Sequence, residues 1–378
     1  MRKHAGNRKE RIKGGSHGTL ISIFCRILQK TAGIPNKPVL PEITLPLRLS
    51  FCKRFIFMDD SHDFLFSQSL TGKMSPQREK TGITAHMKIL LADPRGFCAG
   101  VTTAILRLDD ALQLGTPVYV YHEIVHNTWI VNDFRRRGVI FVDSLDDVPN
   151  GSRLMFSAHG VAPDIRRIAA EKSLTVIDAT CPLVNNVHQA ALHYEQQGYK
   201  VILIGHRGHD EVTGVVGEIP NSIQIVENTA EIELLPFRRN EKLAYLTQTT
   251  LSVTETFKMI ELLKERFPQI EGQPKSNICL ATQLRQEAVR KRCSESDAVI
   301  VVGSRSSSNS RRLAEQAEAC GVRSYLADGA EDIPLSRFTG SETVLITAGA
   351  SAPEHLVQDC IRFLQKHFNA SVVNASVE

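Results

Sequence analysis

The chain has 378 residues, of which 42% are apolar and 23% charged, enough for two or three domains and too apolar to be disordered. Its formal charge of +4 is unevenly placed: residues 1–86 hold 15 Lys/Arg against 6 Asp/Glu, and the rest of the chain is net acidic. The basic balance therefore excludes nothing about the folded body, but the absence of a basic stripe interleaved with aromatics after residue 86 argues against nucleic acid, and no apolar run reaches the roughly 18–20 residues that span a bilayer.

Residues 1–86 have basic residues, Pro35, Pro38, Pro41 and Pro46, and short apolar clusters without sustained period. They read as an Arg-rich targeting segment, a flexible tail, or sequence ahead of a start at Met87; an unstructured extension is the reading taken. From Met87 the pattern becomes α/β. Strands are expected at Lys88–Ala92, Val118–Tyr121 and Arg153–Ser157, with helices at Val101–Leu114 and Trp129–Arg137. Next come a helix at Leu183–Gln197, strands at Lys200–Gly205 and Ala244–Thr247, and a helix at Val253–Phe267. A third block has helices at Gln283–Ser294 and Ser310–Cys320, strands at Ala298–Gly303 and Thr343–Thr347, and a helix and tail to the end. The expected units are 87–180, 181–276 and 277–378.

Self-similarity runs through these blocks. Three times a cysteine opens a helix, a buried strand follows, and the strand ends in a polar cluster; later a second buried strand ends in another. The cysteines are Cys98 (RGFCAGV), Cys181 (DATCPLV) and Cys279 (NICLATQ). The first-strand clusters are HEIVHN, GHRGHDE and GSRSSSNS, and the second-strand clusters SAHG, TQTT and TAGAS. Such periodicity means one supersecondary unit used repeatedly. Ligands of parallel sheets bind beyond the carboxyl ends of the strands, so three facing units would bring three thiols and six polar loops to one cavity.

Each of these thiols sits at a helix start, where N–H groups and the helix dipole favour the thiolate. Three distant thiolates can hold zinc with an open position or three irons of a cubane cluster, and spacing does not choose between them. Eight cysteines scattered over this length suit a reducing, cytosol-like compartment; Cys293, Cys320 and Cys360 read as helix packing. His126, His159 and His209 follow apolar strands, and Ser306–Asn309 precede a helix, where hydroxyls and free N–H groups cap the helix and also bind phosphate. With Thr249 and Ser351 they form a donor set with few fixed cations, suited to a small diphosphate. Glu211 is the one carboxylate of the His209 loop that a reactive centre could desolvate into a proton donor. No Walker A or G-x-G-x-x-G pattern occurs.

The motifs PRGFCAGV, HNTWIV, FSAHGV, DATCPLV, GHRGHDEV, TQTTLSV, RQEAV, GSRSSSNS and TAGASAP, in this order from Met87 to about Gln365, resemble the LytB-type iron–sulfur reductases that act on 4-hydroxy-3-methylbut-2-enyl diphosphate in the non-mevalonate isoprenoid pathway. The resemblance implies a pseudo-threefold trefoil of α/β units around one 4Fe–4S cluster held by Cys98, Cys181 and Cys279, with the substrate hydroxyl on the fourth iron. It implies that His126, His159, His209, Ser307, Ser308, Asn309 and Ser351 bind the diphosphate. Thr249 would sit near the hydroxyl-bearing carbon and Glu211 would deliver protons. The implied reaction is reductive dehydroxylation to isopentenyl and dimethylallyl diphosphate, with electrons from a ferredoxin or flavodoxin and no nucleic-acid or membrane partner. The implied setting is the bacterial cytoplasm, organellar targeting by residues 1–86 being the lesser alternative. Thr103 and Asp210 depart from the pattern, which usually has Arg and Pro there; Thr103 is expected to alter packing or an ion pair, and Asp210 to perturb Glu211. A zinc hydrolase of phosphorylated metabolites and an iron–sulfur sensor are the rival classes.

Overall fold

A computed structural model describes residues 86–115, 117–273 and 276–373, which fall in one compact unit. The expectations for residues 1–85 lie outside them.

Three parallel sheets make up this unit, each sandwiched between helices. After β1 (Met87–Leu91) and α1 (Ala99–Leu112), the first sheet contains β2 (Val118–Tyr121), β3 (Ile140–Val142), β4 (Arg153–Phe156) and β5 (Thr175–Asp178), in the order β3-β2-β4-β5. Its helices are α2 (Thr128–Arg136) and α3 (Pro163–Glu171). α4 (Pro182–Gln196) leads to the second sheet: β6 (Lys200–Ile204), β7 (Ile223–Val226), β8 (Leu243–Thr247) and β9 (Glu271–Gly272), in the order β7-β6-β8-β9. Here the helices are α5 (Asp210–Glu218), α6 (Thr229–Glu233) and α7 (Val253–Arg266). α8 (Leu280–Cys293) opens the third part, with β10 (Ala298–Val302), α9 (Ser308–Ala319), β11 (Arg323–Ala327), β12 (Thr343–Ala348), α10 (Glu354–His367) and β13 (Ala370–Val373).

The alternation of side chains along each strand builds two apolar layers per sheet. Val118 and Val120 of β2 face α1 and α2, while Tyr119 and Tyr121 face the layer that includes α3. Val201 and Leu203 of β6 pack toward α4 and α5, and Ile202 and Ile204 toward α7. In β10 all five residues are buried, Ala298, Ile300 and Val302 under α10 and the other two under α8 and α9.

One boundary differs from expectation. β1 does not join the first unit; it lies between β12 and β13 of the third sheet, whose order is β11-β10-β12-β1-β13. The reason is geometric. β5 and β9 each flank the second strand of their sheets and run into a cysteine, and β1 takes the same place beside β12 before Cys98. The repeat thus ends, rather than begins, with its cysteine, and the third copy is completed by Met87–Leu91. Fully buried Met87 donates its N–H to Asn369 O at 3.0 Å.

Candidate active site

The three thiols stand at equivalent points. Cys98, Cys181 and Cys279 are the N-cap residues of α1, α4 and α8. Their backbone N–H groups donate to Ala350 O, Ala158 O and Thr249 O, each at 3.0 Å. Those acceptors are in the polar loops after β12, β4 and β8, so each thiol is clipped to the second strand of the sheet it terminates. The Cys98 and Cys279 sulfurs accept from Val101 N and Thr282 N at 3.4 Å, and Cys279 lies 3.1 Å from Thr282 Oγ1. Cys181 has no such cap bond.

These N–H groups do favour the thiolate, yet burial outweighs them: it pushes Cys181 and Cys279 above the usual thiol range, against the nearby N–H groups of Leu183 and Val184 and the bonds from Thr282 respectively. The helix starts therefore favour the thiolate at Cys181 and Cys279 without offsetting the cost of burial. A Cβ at Gly100 would lie 2.9 Å from the Cys181 sulfur and 3.9 Å from that of Cys98, which puts the two within about 7 Å of each other. Arg285, buried on α8, ties the third thiol's helix to the first thiol's loop, donating to Gly96 O at 2.6 Å, to Phe97 O at 3.2 Å and to Ala281 O at 2.8 Å. Neither Gly100 nor Arg285 was singled out in the sequence; both sit inside motifs but carry no chemistry of their own until the chain is folded.

The thiols line a cavity of about 170 Å³, and so does every other candidate residue: His126, His159, His209, Glu211, Thr249, Ser307, Ser308, Asn309 and Ser351. Glu211 is 2% exposed. Its carboxylate accepts from Thr249 N at 2.7 Å and from Thr249 Oγ1 at 3.0 Å. Burial lifts its pKa to about 7, against the pull of the two Thr249 bonds. Because Thr249 also accepts from Cys279 N, one residue joins the proton-bearing group to the third thiol.

The imidazoles of His126 and His159 stack at 4.1 Å and 17°, with His209 edge-on to both. Burial drives the pKa of His209 down to about 3 and that of His159 well below the usual range, so both are neutral donors and acceptors at pH 7. His126, His159 and Asp210 place ligand atoms within 4.8 Å of one another. The two stacked rings keep their in-plane lone pairs parallel, which does not suit convergence on one ion. From the third unit, Ser307 caps α9 by accepting from Ser310 N at 3.3 Å, and Ser308 donates to Thr250 O at 3.3 Å. Ser351 donates to His126 O at 2.8 Å and so holds the histidine loop. Asn309 is 3% exposed, and among the described residues neither its amide nitrogen nor its carbonyl oxygen has a partner. An unpaired buried amide of that kind costs about 1–3 kcal/mol.

The expected perturbation of Glu211 by Asp210 is not found, and the Thr103 side chain stays on its own helix. Thr103 is exposed and its hydroxyl donates to Ala99 O of its own helix at 2.9 Å. Asp210 accepts from His122 at 2.7 Å, and the raised pKa of Glu211 owes to burial and not to Asp210. Of the other cysteines, Cys293 and Cys360 are buried in helix packing as expected, whereas Cys320 is exposed at the end of α9, where the helix stops.

Comparison with known proteins agrees with this architecture. Residues 89–365 match the family described as "LytB protein". A Rhodopirellula baltica protein named 4-hydroxy-3-methylbut-2-enyl diphosphate reductase is 54% identical over 76% of this chain and 90% of its own length. A Haemophilus influenzae protein of the same name is 50% identical over 76% and 92%. Among solved structures, the E-1-hydroxy-2-methyl-but-2-enyl-4-diphosphate reductase of Plasmodium falciparum superposes with a TM-score of 0.74 at 39% identity, covering 78% of this chain and 93% of that one. A second structure, described as (E)-4-hydroxy-3-methyl-but-2-enyl diphosphate reductase, the terminal enzyme of the non-mevalonate pathway, gives 0.54 at 30% identity, covering 74% and 99%.

Proposed function

The chain belongs to the LytB family, and from that premise we propose that it is a 4-hydroxy-3-methylbut-2-enyl diphosphate reductase working through one 4Fe–4S cluster held by Cys98, Cys181 and Cys279. The reaction consumes two electrons and two protons, breaks the allylic C–O bond, releases water and yields isopentenyl and dimethylallyl diphosphate. The observation that carries this reading is three thiols, one per repeat, lining the same cavity as a buried carboxyl whose pKa lies near 7.

The donor set fits the cluster. Zinc held by three thiolates at about 2.3 Å would draw the sulfurs to roughly 4 Å from one another. Among the described residues, the set of ligand atoms all within 4.8 Å is His126, His159 and Asp210, not the thiols. A wider triangle suits several irons. When bound, the cluster supplies one-electron transfer and a Lewis-acidic iron.

The chain's own residues do the rest. Glu211, half-protonated near neutrality, carries a proton into the cavity and hands it to the departing oxygen; the Thr249 bonds aim its carboxyl and keep it from rotating. His126, His159, His209, Ser307, Ser308 and the unpaired Asn309 amide bind the diphosphate, and Ser351 holds the His126 loop against it. The apolar part of the lining, Val101, Val125 and Val184 among it, keeps bulk water from the reacting carbon. A ferredoxin- or flavodoxin-type protein is the electron donor in this reading, and the cytoplasm its compartment. No helix among the described residues is long and apolar enough to cross a membrane.

Anaerobic purification with iron and sulfide quantification tests the proposal: four irons and four sulfides per chain, with turnover of the allylic diphosphate under a one-electron donor, support it. Stoichiometric zinc without a visible charge-transfer band would overturn it in favour of a hydrolase.

A further inference from the structure

We propose that His122, a residue outside the cavity lining, is a positioning residue that masks the Asp210 carboxylate from the substrate's diphosphate, so that a negative side chain is tolerated within an anion site. This rests on the reading that His126 and His159 hold the diphosphate. Asp210 is the first residue of α5, and its carboxylate is split between two tasks. Oδ1 meets His122 Nδ1 at 2.7 Å, while Oδ2 lies 3.8 Å from His159 Nδ1 and 4.0 Å from His126 Nε2. An unmasked carboxylate there would repel the phosphate oxygens that those two imidazoles bind.

His122 is built to stay in place. Its N–H donates to Val142 O at 2.9 Å, its ring stacks on Tyr121 at 4.0 Å and 22°, and its φ is +56°, a left-handed conformation rare for such a residue. Backbone strain at a residue whose ring makes a cross-unit ion pair points to a position held for its partner. The bond to Asp210 raises the His122 pKa, against burial, with Asp143 and Glu123 adding to it; the same bond, also against burial, brings Asp210 down to about 2. The groups facing the pair are Tyr121 at the end of β2, Glu123, His126 and Asp143 of the first unit's loops, His159 beyond β4, His209 before α5, and His206, Arg207 and Arg311, which line the same cleft as Asp210; Arg207 is held by Glu227 and Glu231. His159 and His209 are neutral at pH 7; among the described residues His122 is the side chain in hydrogen-bond contact with the Asp210 carboxylate, and so its nearest counter-charge when protonated. The sign follows: as pH rises through the raised His122 pKa, the imidazolium is lost, Asp210 is exposed, and anion affinity falls.

The test is calorimetric titration of the anaerobically purified full-length holoprotein with inorganic diphosphate, from about pH 6 to 9. His122→Asn tolerates the left-handed backbone and removes the charge; it should weaken diphosphate roughly tenfold or more at pH 7. The double variant His122→Asn/Asp210→Asn should regain that loss, and Asp210→Asn alone should bind with a flatter decline toward alkaline pH. Unchanged affinity in His122→Asn, or a double variant as weak as the single, overturns the masking role. Should His122→Asn fail to fold, the pH profiles of the wild type and Asp210→Asn decide: identical slopes overturn the inference. A wild type that binds no diphosphate overturns the anion site itself, and the inference with it.

Discussion

The two ends of the cavity are built by different rules. At the thiol end every element is used three times: an N-cap cysteine, a 3.0 Å backbone bond to a second-strand loop, and a helix leading away. At the opposite end the repeat is broken. The first unit contributes His126 and His159, the second His209, Glu211 and Thr249, and the third only hydroxyls and an amide. In the proposed reading, symmetry serves a compact inorganic group with equivalent ligand positions, and its loss lets the site tell one end of a substrate from the other.

Breaking the symmetric end should be the most damaging. Cys98→Ser, Cys181→Ser and Cys279→Ser should each abolish turnover and the visible absorbance to a similar extent, read by iron content and spectrum. Widely different iron retention among the three would deny their equivalence. Glu211→Gln, at the asymmetric end, should keep iron and colour yet lose roughly 10²–10⁴-fold in turnover. The wild type's activity should fall as pH rises past about 7, where Glu211 loses its proton; persistence of that alkaline limb in the variant would remove Glu211 from the proton path.

A stability measurement separates the same two regions. Glu211 binds its proton more tightly folded than unfolded, so its burial destabilises the apoprotein increasingly between about pH 4.5 and 7, fully above that range. Apo Glu211→Gln should therefore be more stable than apo wild type at pH 8 by about 1–3 kcal/mol in denaturant titrations, a gap that closes at pH 5. Asn309→Ala should show the smallest effect: substrate KM up roughly tenfold with the apoprotein no less stable, because the amide it deletes has no partner among the described residues. A loss of stability without a change in KM would mean that Asn309 is structural.

Much of this was legible before folding. β6, β8, β10 and β12 are strongly apolar strands buried on both faces and β2 alternates buried valine with half-buried tyrosine, and the bounds of all five agree with the sequence reading to within a residue or so. β3, β5, β7 and β11 were not legible, because these edge strands are at most partly buried: Thr175–Asp178 reads TVID, with three exposed residues and Ile177 half-buried. α3 and α5 were missed because each is a short, nine-residue helix that follows or begins within a polar cluster, SAHG and GHRGHDE, already assigned to chemistry.

Local sequence determined the alternating elements, the three-fold recurrence of cysteine and polar loop, and the residue types available to the site, since hydrophobic period and helix caps are short-range properties. Only the folded molecule decided that Met87–Leu91 completes the third sheet, that Asp210 pairs with His122, and that burial lifts Glu211 to about 7. Strand partnership, side-chain direction and desolvation depend on what the rest of the chain places alongside a residue, and no window along the sequence contains those neighbours.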